Sequence, residues 1–130
     1  MRGFVLLFLF LLPSVLLAED APISHYMQAN INMLQTQVSQ LYEAIALLQE
    51  SGLSDQEKFE RIAEPSFSAI DQVLAEFDFT VLTFYQFQVD HAQEIEGWLD
   101  ENLVQAAQFY MLKTEHNQLV DEYDRLISRP

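Results

Sequence analysis

Met27, Ile31, Leu34, Val38, Leu41, Ile45 and Leu48 recur at alternating spacings of four and three residues. That spacing sets all seven side chains along one side of an α-helix, and a strand, with its period of two, cannot use it. The seam is held over three heptads, the pattern of a helix that packs lengthwise against another. Between the seam positions the chain is rich in amides: Gln28, Asn30, Asn32, Gln35, Gln37 and Gln40. The first helix of the folded part is therefore expected over residues 24–50, amphipathic and narrow-faced. Ser51-Gly52 should end it, because glycine enters the left-handed conformation beyond a helix C-terminus without steric cost.

The segment before the seam has a different composition. Arg2 is followed by an unbroken apolar run from Phe4 to Leu12, then Pro13-Ser14, then Val15-Leu16-Leu17-Ala18, and the chain turns polar at Glu19-Asp20. A positive start, a short apolar run and a small residue before a polar segment read as a secretory signal peptide. The run is shorter than the ~20 residues of a membrane-spanning helix. Residues 1–18 are expected to be the signal, cleaved near Ala18, and residues 19–130 a single domain working in the periplasm or secreted. Membrane insertion beyond the signal is not expected.

Without Arg2, the chain carries five basic residues (Lys58, Arg61, Lys113, Arg125, Arg129) against twenty acidic ones, a net charge of −15. A surface of that sign repels phosphate, so nucleic-acid binding and attraction to anionic lipid are excluded as functions. The chain has no cysteine, which excludes disulfides, thiolate metal sites and thiol redox chemistry.

Ser54-Asp55-Gln56-Glu57 matches a capping box, in which a hydroxyl and a carboxylate each satisfy a free backbone N–H, so a second helix should start there. Phe59, Ile62, Ala63, Phe67, Ile70, Leu74 and Phe77 keep helical spacing across Pro65. Proline removes one hydrogen bond and clashes with the preceding turn, so a kink is expected near it.

Residues 77–89 read Phe-Asp-Phe-Thr-Val-Leu-Thr-Phe-Tyr-Gln-Phe-Gln-Val. The alternation and the aromatic, β-branched content suit a strand. No second strand candidate exists to pair with it, and the upstream seam continues as Phe77, Val81 and Phe84, so helix is the expectation. The alternative is a strand paired with its copy in a homodimer. Residues 90–128 return to helical spacing through Ile95, Leu99, Leu103, Ala106, Phe109, Leu112, Leu119 and Leu126, with a break possible at Gly97 or Asp100. The whole is expected to be all-α, a three- or four-helix antiparallel bundle of long helices kinked near Pro65 and Gly97.

No catalytic constellation emerges. The glycines stand at 3, 52 and 97, too scattered for a phosphate-binding loop, and no nucleophile-elbow or zinc-protease motif occurs. The carboxylates form solvated runs without the loop pattern of a calcium site. His25, His91 and His116 lack the Glu-x-x-His pairing of di-iron bundles, since Gln88 and Lys113 precede the last two by three residues. No cofactor and no enzymatic activity are expected. The unusual feature is the aromatic segment, apolar nearly all round when helical, which makes it either the centre of the core or a contact surface. Phe77, Phe79, Phe84, Tyr85 and Phe87 are the candidate partner-binding residues, for a protein partner or a second copy.

Gly52-Leu53-Ser54-Asp55-Gln56-Glu57 looks like the helix-opening segment of the Spy/CpxP-type periplasmic chaperones. The likeness covers six residues, and the chain departs from those chaperones in being acidic where their working face is basic. The functional expectation is an exported, non-enzymatic interaction protein, such as a small chaperone, adaptor or assembly factor. The alternative is a haem- or metal-binding four-helix bundle of cytochrome b562 type, with Met27 and His116 as the ligands to test.

Overall fold

The structure, a computed structural model, describes the backbone of residues 2–50 and 52–128 and the side chains of residues 21–50, 52–61 and 68–128. The expected signal peptide and its cleavage point near Ala18 lie outside the described side chains. The chain is all-helical, with no strand among the described residues. Among the described residues five helices follow one another: α1 Arg2–Gln49, α2 Asp55–Glu76, α3 Val81–Asp90, α4 Ala92–Glu101 and α5 Leu103–Ile127. None of the described helices is long and apolar enough to cross a membrane.

Local chemistry sets the boundaries. Gly52, at φ +102°, turns the chain out of α1. The capping box at the start of α2 is present: Glu57 N–H donates to Ser54 Oγ at 3.2 Å, and Ser54 N–H donates to Glu57 Oε2 at 3.1 Å. Two of the four free N–H groups of the helix start are thereby satisfied. α2 ends in a Schellman motif. Asp78 N–H donates to Ala75 O at 3.0 Å and Phe79 N–H to Leu74 O at 2.9 Å, with Asp78 left-handed at φ 61°. The accompanying hydrophobic contact comes from Phe79 and Leu74, both part of the core. Thr80 then caps α3, accepting from Thr83 N–H at 3.1 Å, while Thr83 Oγ1 accepts from Thr80 N–H at 2.8 Å.

Residue pairings give the directions of the long helices. His25 meets Phe77 and Leu48 meets Lys58, so α2 runs antiparallel to α1. Tyr42 meets Glu115, and Leu48 lines a groove with Tyr123 and Leu126, so α5 runs parallel to α1. α1 packs against α2, α4 and α5. The short α3 and α4 turn the chain at the lower end.

The core lies at that lower end. Ile23, Tyr26, Met27, Ala29, Ile31, Met33 and Leu34 of α1 are buried with Leu74, Phe84, Trp98, Leu99, Ala106 and Phe109. The heptad residues Met27, Ile31, Leu34 and Val38 are among the buried ones. Burial at 26, 27, 29, 30, 31, 33 and 34 nevertheless goes nearly round the helix. This part of α1 is central, not narrow-faced, because α2, α4 and α5 all pack on it. Asn30 is the one buried polar residue here; its Nδ2 donates to Tyr26 Oη at 3.4 Å, and Tyr26 Oη donates to Gln88 Oε1 at 3.1 Å.

One expectation about interruptions, the one at Gly97, needs correction. α2 continues as helix through Pro65, whose side-chain surroundings lie outside the described residues. Gly97 sits inside α4, and the interruptions come at His91 and Asn102 instead. At Asn102 the backbone leaves helical geometry (φ −117°, ψ 69°), and the side chain Nδ2 donates to Trp98 O at 2.8 Å. An asparagine that satisfies a terminal carbonyl can end a helix where a mid-helix glycine does not. Among the described residues there are thus five helices, three of them long and two, α3 and α4, short.

Candidate interaction surface

The aromatic segment divides between the α2–α3 turn and α3, and its rings are sorted to two sides. Phe84 is fully buried, and Phe77, Phe79 and Phe87 pack half-buried against the core. They gather around Tyr26 of α1. The Tyr26 ring stacks on Phe84 and Phe87 at centroid distances of 4.8 and 4.9 Å and meets Phe79 edge-on at 6.2 Å. Phe79 is edge-on to Phe84 and Phe87 at 5.8 and 5.9 Å. Such offset and edge-to-face pairs are the favoured arrangements of aromatic quadrupoles. Phe77 sits apart, against the His25 ring at 5.4 Å. The structure thus brings Phe79, Phe84 and Phe87 together, with Phe77 at the margin. Only Tyr85 of the five candidates is on the outside.

The outward face of α3 joins Tyr85 to Leu82 and Val89, which were not among the candidate residues. Leu82 is 77% exposed and Val89 74%, with Tyr85 beside them and Val81 at the edge of the stripe about half exposed. Spacings of three, four and seven put these side chains on one stripe. From Phe79 to Val89 the chain has no carboxylate, and Asp78 and Asp90 stand at its two ends. A helix that is apolar both toward the core and toward water retains a drive to be covered. Helical-wheel bookkeeping on Leu82 and Val89 could have found this stripe; the density of phenylalanines drew attention to the inward face instead.

The histidines are held in separate places. His25 Nε2 donates to Phe77 O at 2.8 Å, which fixes its proton on that nitrogen. His91 Nδ1 pairs with Glu94 Oε2 at 2.6 Å, and its ring lies 4.2 Å from that of Phe87. His116 is half-buried beside Gln37, Gln40, Leu41, Ala44, Val120 and Tyr123. No group of three or more His, Asp or Glu among the described residues is placed to hold a metal ion. Met27 is fully buried in the lower core, ten or more residues down α1 from the neighbours of His116, which is roughly 15–25 Å. Bonds to a metal are about 2 Å long, so these two residues cannot ligate the same ion.

Burial raises the Tyr26 hydroxyl to about 12, against its hydrogen bond from Asn30. The hydrogen bond to Glu115 holds the Tyr42 hydroxyl above its ordinary value as well. Both groups stay protonated at neutral pH, where each donates a hydrogen bond and neither can act as a base. Comparison of the chain with protein-family models, with curated proteins and with solved structures finds no match.

Proposed function

We propose that this chain is an exported, non-enzymatic interaction protein, acting as a small chaperone, adaptor or assembly factor in the periplasm or outside the cell. Its scaffold is an up-down-up arrangement of three long helices, α2 antiparallel to α1 and α5, closed at one end by α3 and α4. The observation that carries the reading is the outward stripe of Val81, Leu82, Tyr85 and Val89, backed by the buried aromatic cluster around Tyr26. The backing rings fix α3 in place, so the stripe is presented on a rigid support and little ordering entropy is lost on binding. The acidic surface surrounding it keeps the protein soluble and repels indiscriminate contact with other anionic chains.

The test has two arms. The full chain is expressed with its first eighteen residues, and the recovered product is identified by mass and N-terminal sequence. Loss of the leading segment near Ala18 supports export; a product that keeps it and stays in the cytoplasm counts against it. The exported protein is then cross-linked in periplasmic extract beside a Leu82→Asp/Val89→Asp variant of unchanged helix content. Adducts formed by the wild type and lost in the variant support the reading. Equal adducts in both, or none in either, overturn it.

A further inference from the structure

A second stripe, on α5, has a pattern that fits a second copy of this chain. The first three turns of α5 are apolar on opposite sides. Ala106, Phe109 and Leu112 face the core. Leu103, Val104, Tyr110 and Met111 point to water, with Val104 81% and Met111 73% exposed, and exposed Ala107 lies between them. Farther along, the outward positions become polar, at Thr114, Asn117, Gln118 and Asp121. The apolar face is therefore a local feature, not a property of the whole helix.

Two properties of this stripe select its occupant. The first is charge. From Asn102 to Thr114 there is no carboxylate, in a chain with twenty of them and a net charge of −14. Two copies of so anionic a molecule repel each other wherever both bring acids, and an acid-free stretch removes that repulsion at the point of contact. A cationic partner, by contrast, would find no counter-charge here. The second is symmetry. At about 100° per residue, Leu103 and Tyr110 lie roughly 40–60° to one side of Ala107, and Val104 and Met111 a similar angle to the other. Each pair is also centred within one residue of Ala107 along the axis. Two α5 helices crossing antiparallel on a two-fold axis at Ala107 therefore set Leu103 against the second copy's Tyr110, and Val104 against its Met111. The small alanine sits at the point of closest approach. This is the self-complementarity that an isologous contact requires.

We infer that the chain forms an antiparallel homodimer through the Leu103–Met111 face of α5, centred on Ala107. The contact is independent of the stripe on α3, so either can fail without the other. Five side chains cover less than the roughly 800 Å² per partner of a standard interface, so the dimer belongs to the weak, concentration-dependent class.

The absence of cysteine allows a direct test. Ala107→Cys should give a covalent dimer under mild oxidation, since residues on the axis can approach to disulfide distance. Gln118→Cys, on the same outward side but about 16 Å along the helix, would place the two sulfurs roughly 33 Å apart and should not cross-link. Sedimentation equilibrium at tens of micromolar should show dimer for the wild type. A Val104→Asp/Met111→Asp variant should be monomeric with an unchanged helical circular-dichroism spectrum. A wild type that is monomeric at every concentration overturns the proposal. So does cross-linking of Gln118→Cys as fast as Ala107→Cys, or a charged variant that stays dimeric.

Discussion

The ring of Tyr26 lies stacked on that of Phe84 with their centroids 4.8 Å apart, and each residue is only 1% exposed. One comes from the heptad helix and the other from the aromatic segment, so this contact fastens α3 to the centre of the molecule. Tyr26 also carries the polar end of the cluster, between Asn30 and Gln88.

Removing the Tyr26 hydroxyl and removing its ring should have distinct effects. Tyr26→Phe keeps the stacking but leaves Asn30 Nδ2 without its acceptor in a buried place, which should lower stability by about 1 kcal/mol. Tyr26→Ala also opens a cavity against Phe79, Phe84 and Phe87, and a cost of about 3–5 kcal/mol is expected. Urea unfolding followed by circular dichroism separates the two. Equal losses would mean that the ring packing contributes little.

The same hydroxyl makes the fold sensitive to strong alkali. In the unfolded chain Tyr26 ionises near 10; in the folded one burial moves it to about 12. The folded state thus holds the proton longer, so this contribution is intact below pH 10 and is lost as pH rises toward 12. The loss attributable to Tyr26 is on the order of 2 kcal/mol. Ultraviolet titration of the tyrosinates should show one late step that Tyr26→Phe removes, and that variant should show a weaker loss of stability across the same interval.

Asp78 offers a stabilising substitution. It occupies the left-handed position of the Schellman motif, where its φ of 61° suits glycine better than a residue with a Cβ. Asp78→Gly should raise stability by about 0.5–1 kcal/mol, the relief of strain exceeding the added entropy of the unfolded chain. At Gly52, with φ +102° and open space around the position where a Cβ would stand, Gly52→Ala should destabilise by about 1 kcal/mol through strain alone. Thermal melts of the two variants should move in opposite directions.

How much of this was legible in the sequence depends on which signals were local. The heptad seam and the capping box Ser54–Glu57 are spacings of a few residues; the capping box is present, and the seam is buried from Met27 to Val38 and half-buried beyond. The end of α2 was missed because its left-handed residue is Asp78, without the glycine that usually marks one. Thr80-x-x-Thr83 caps α3 although its last member is not an acid, so the new helix start was also hidden. Asn102 was overlooked beside Gly97, yet asparagine can stop a helix with its own side chain. The depth of the lower core was not legible at all. Burial around Tyr26 comes from α3, α4 and α5 returning to one end of α1, and no single-helix pattern records that return. The site shared this limit: the periodicity of residues 77–89 gave two apolar sides, and only the position of Tyr26 decides which side faces inward.

That sorting gives the last prediction. Phe79 and Leu82 are three residues apart in one aromatic segment, but Phe79 packs against Tyr26, Phe84 and Phe87, while Leu82 is 77% exposed. Phe79→Asp would replace a half-buried ring that packs on three others with a carboxylate, losing that packing at a cost of about 3–5 kcal/mol. It should lower the unfolding midpoint steeply or leave the chain unfolded. Leu82→Asp stays in water and should change stability by no more than about 0.5 kcal/mol, while reducing capture of a partner by the α3 stripe. Unfolding midpoints and cross-linking yields of the two variants, measured side by side, separate the inward face from the outward one. A Phe79→Asp protein as stable as the wild type would mean that the aromatic cluster does not anchor α3. The contact surface would then have to be assigned to the phenylalanines themselves.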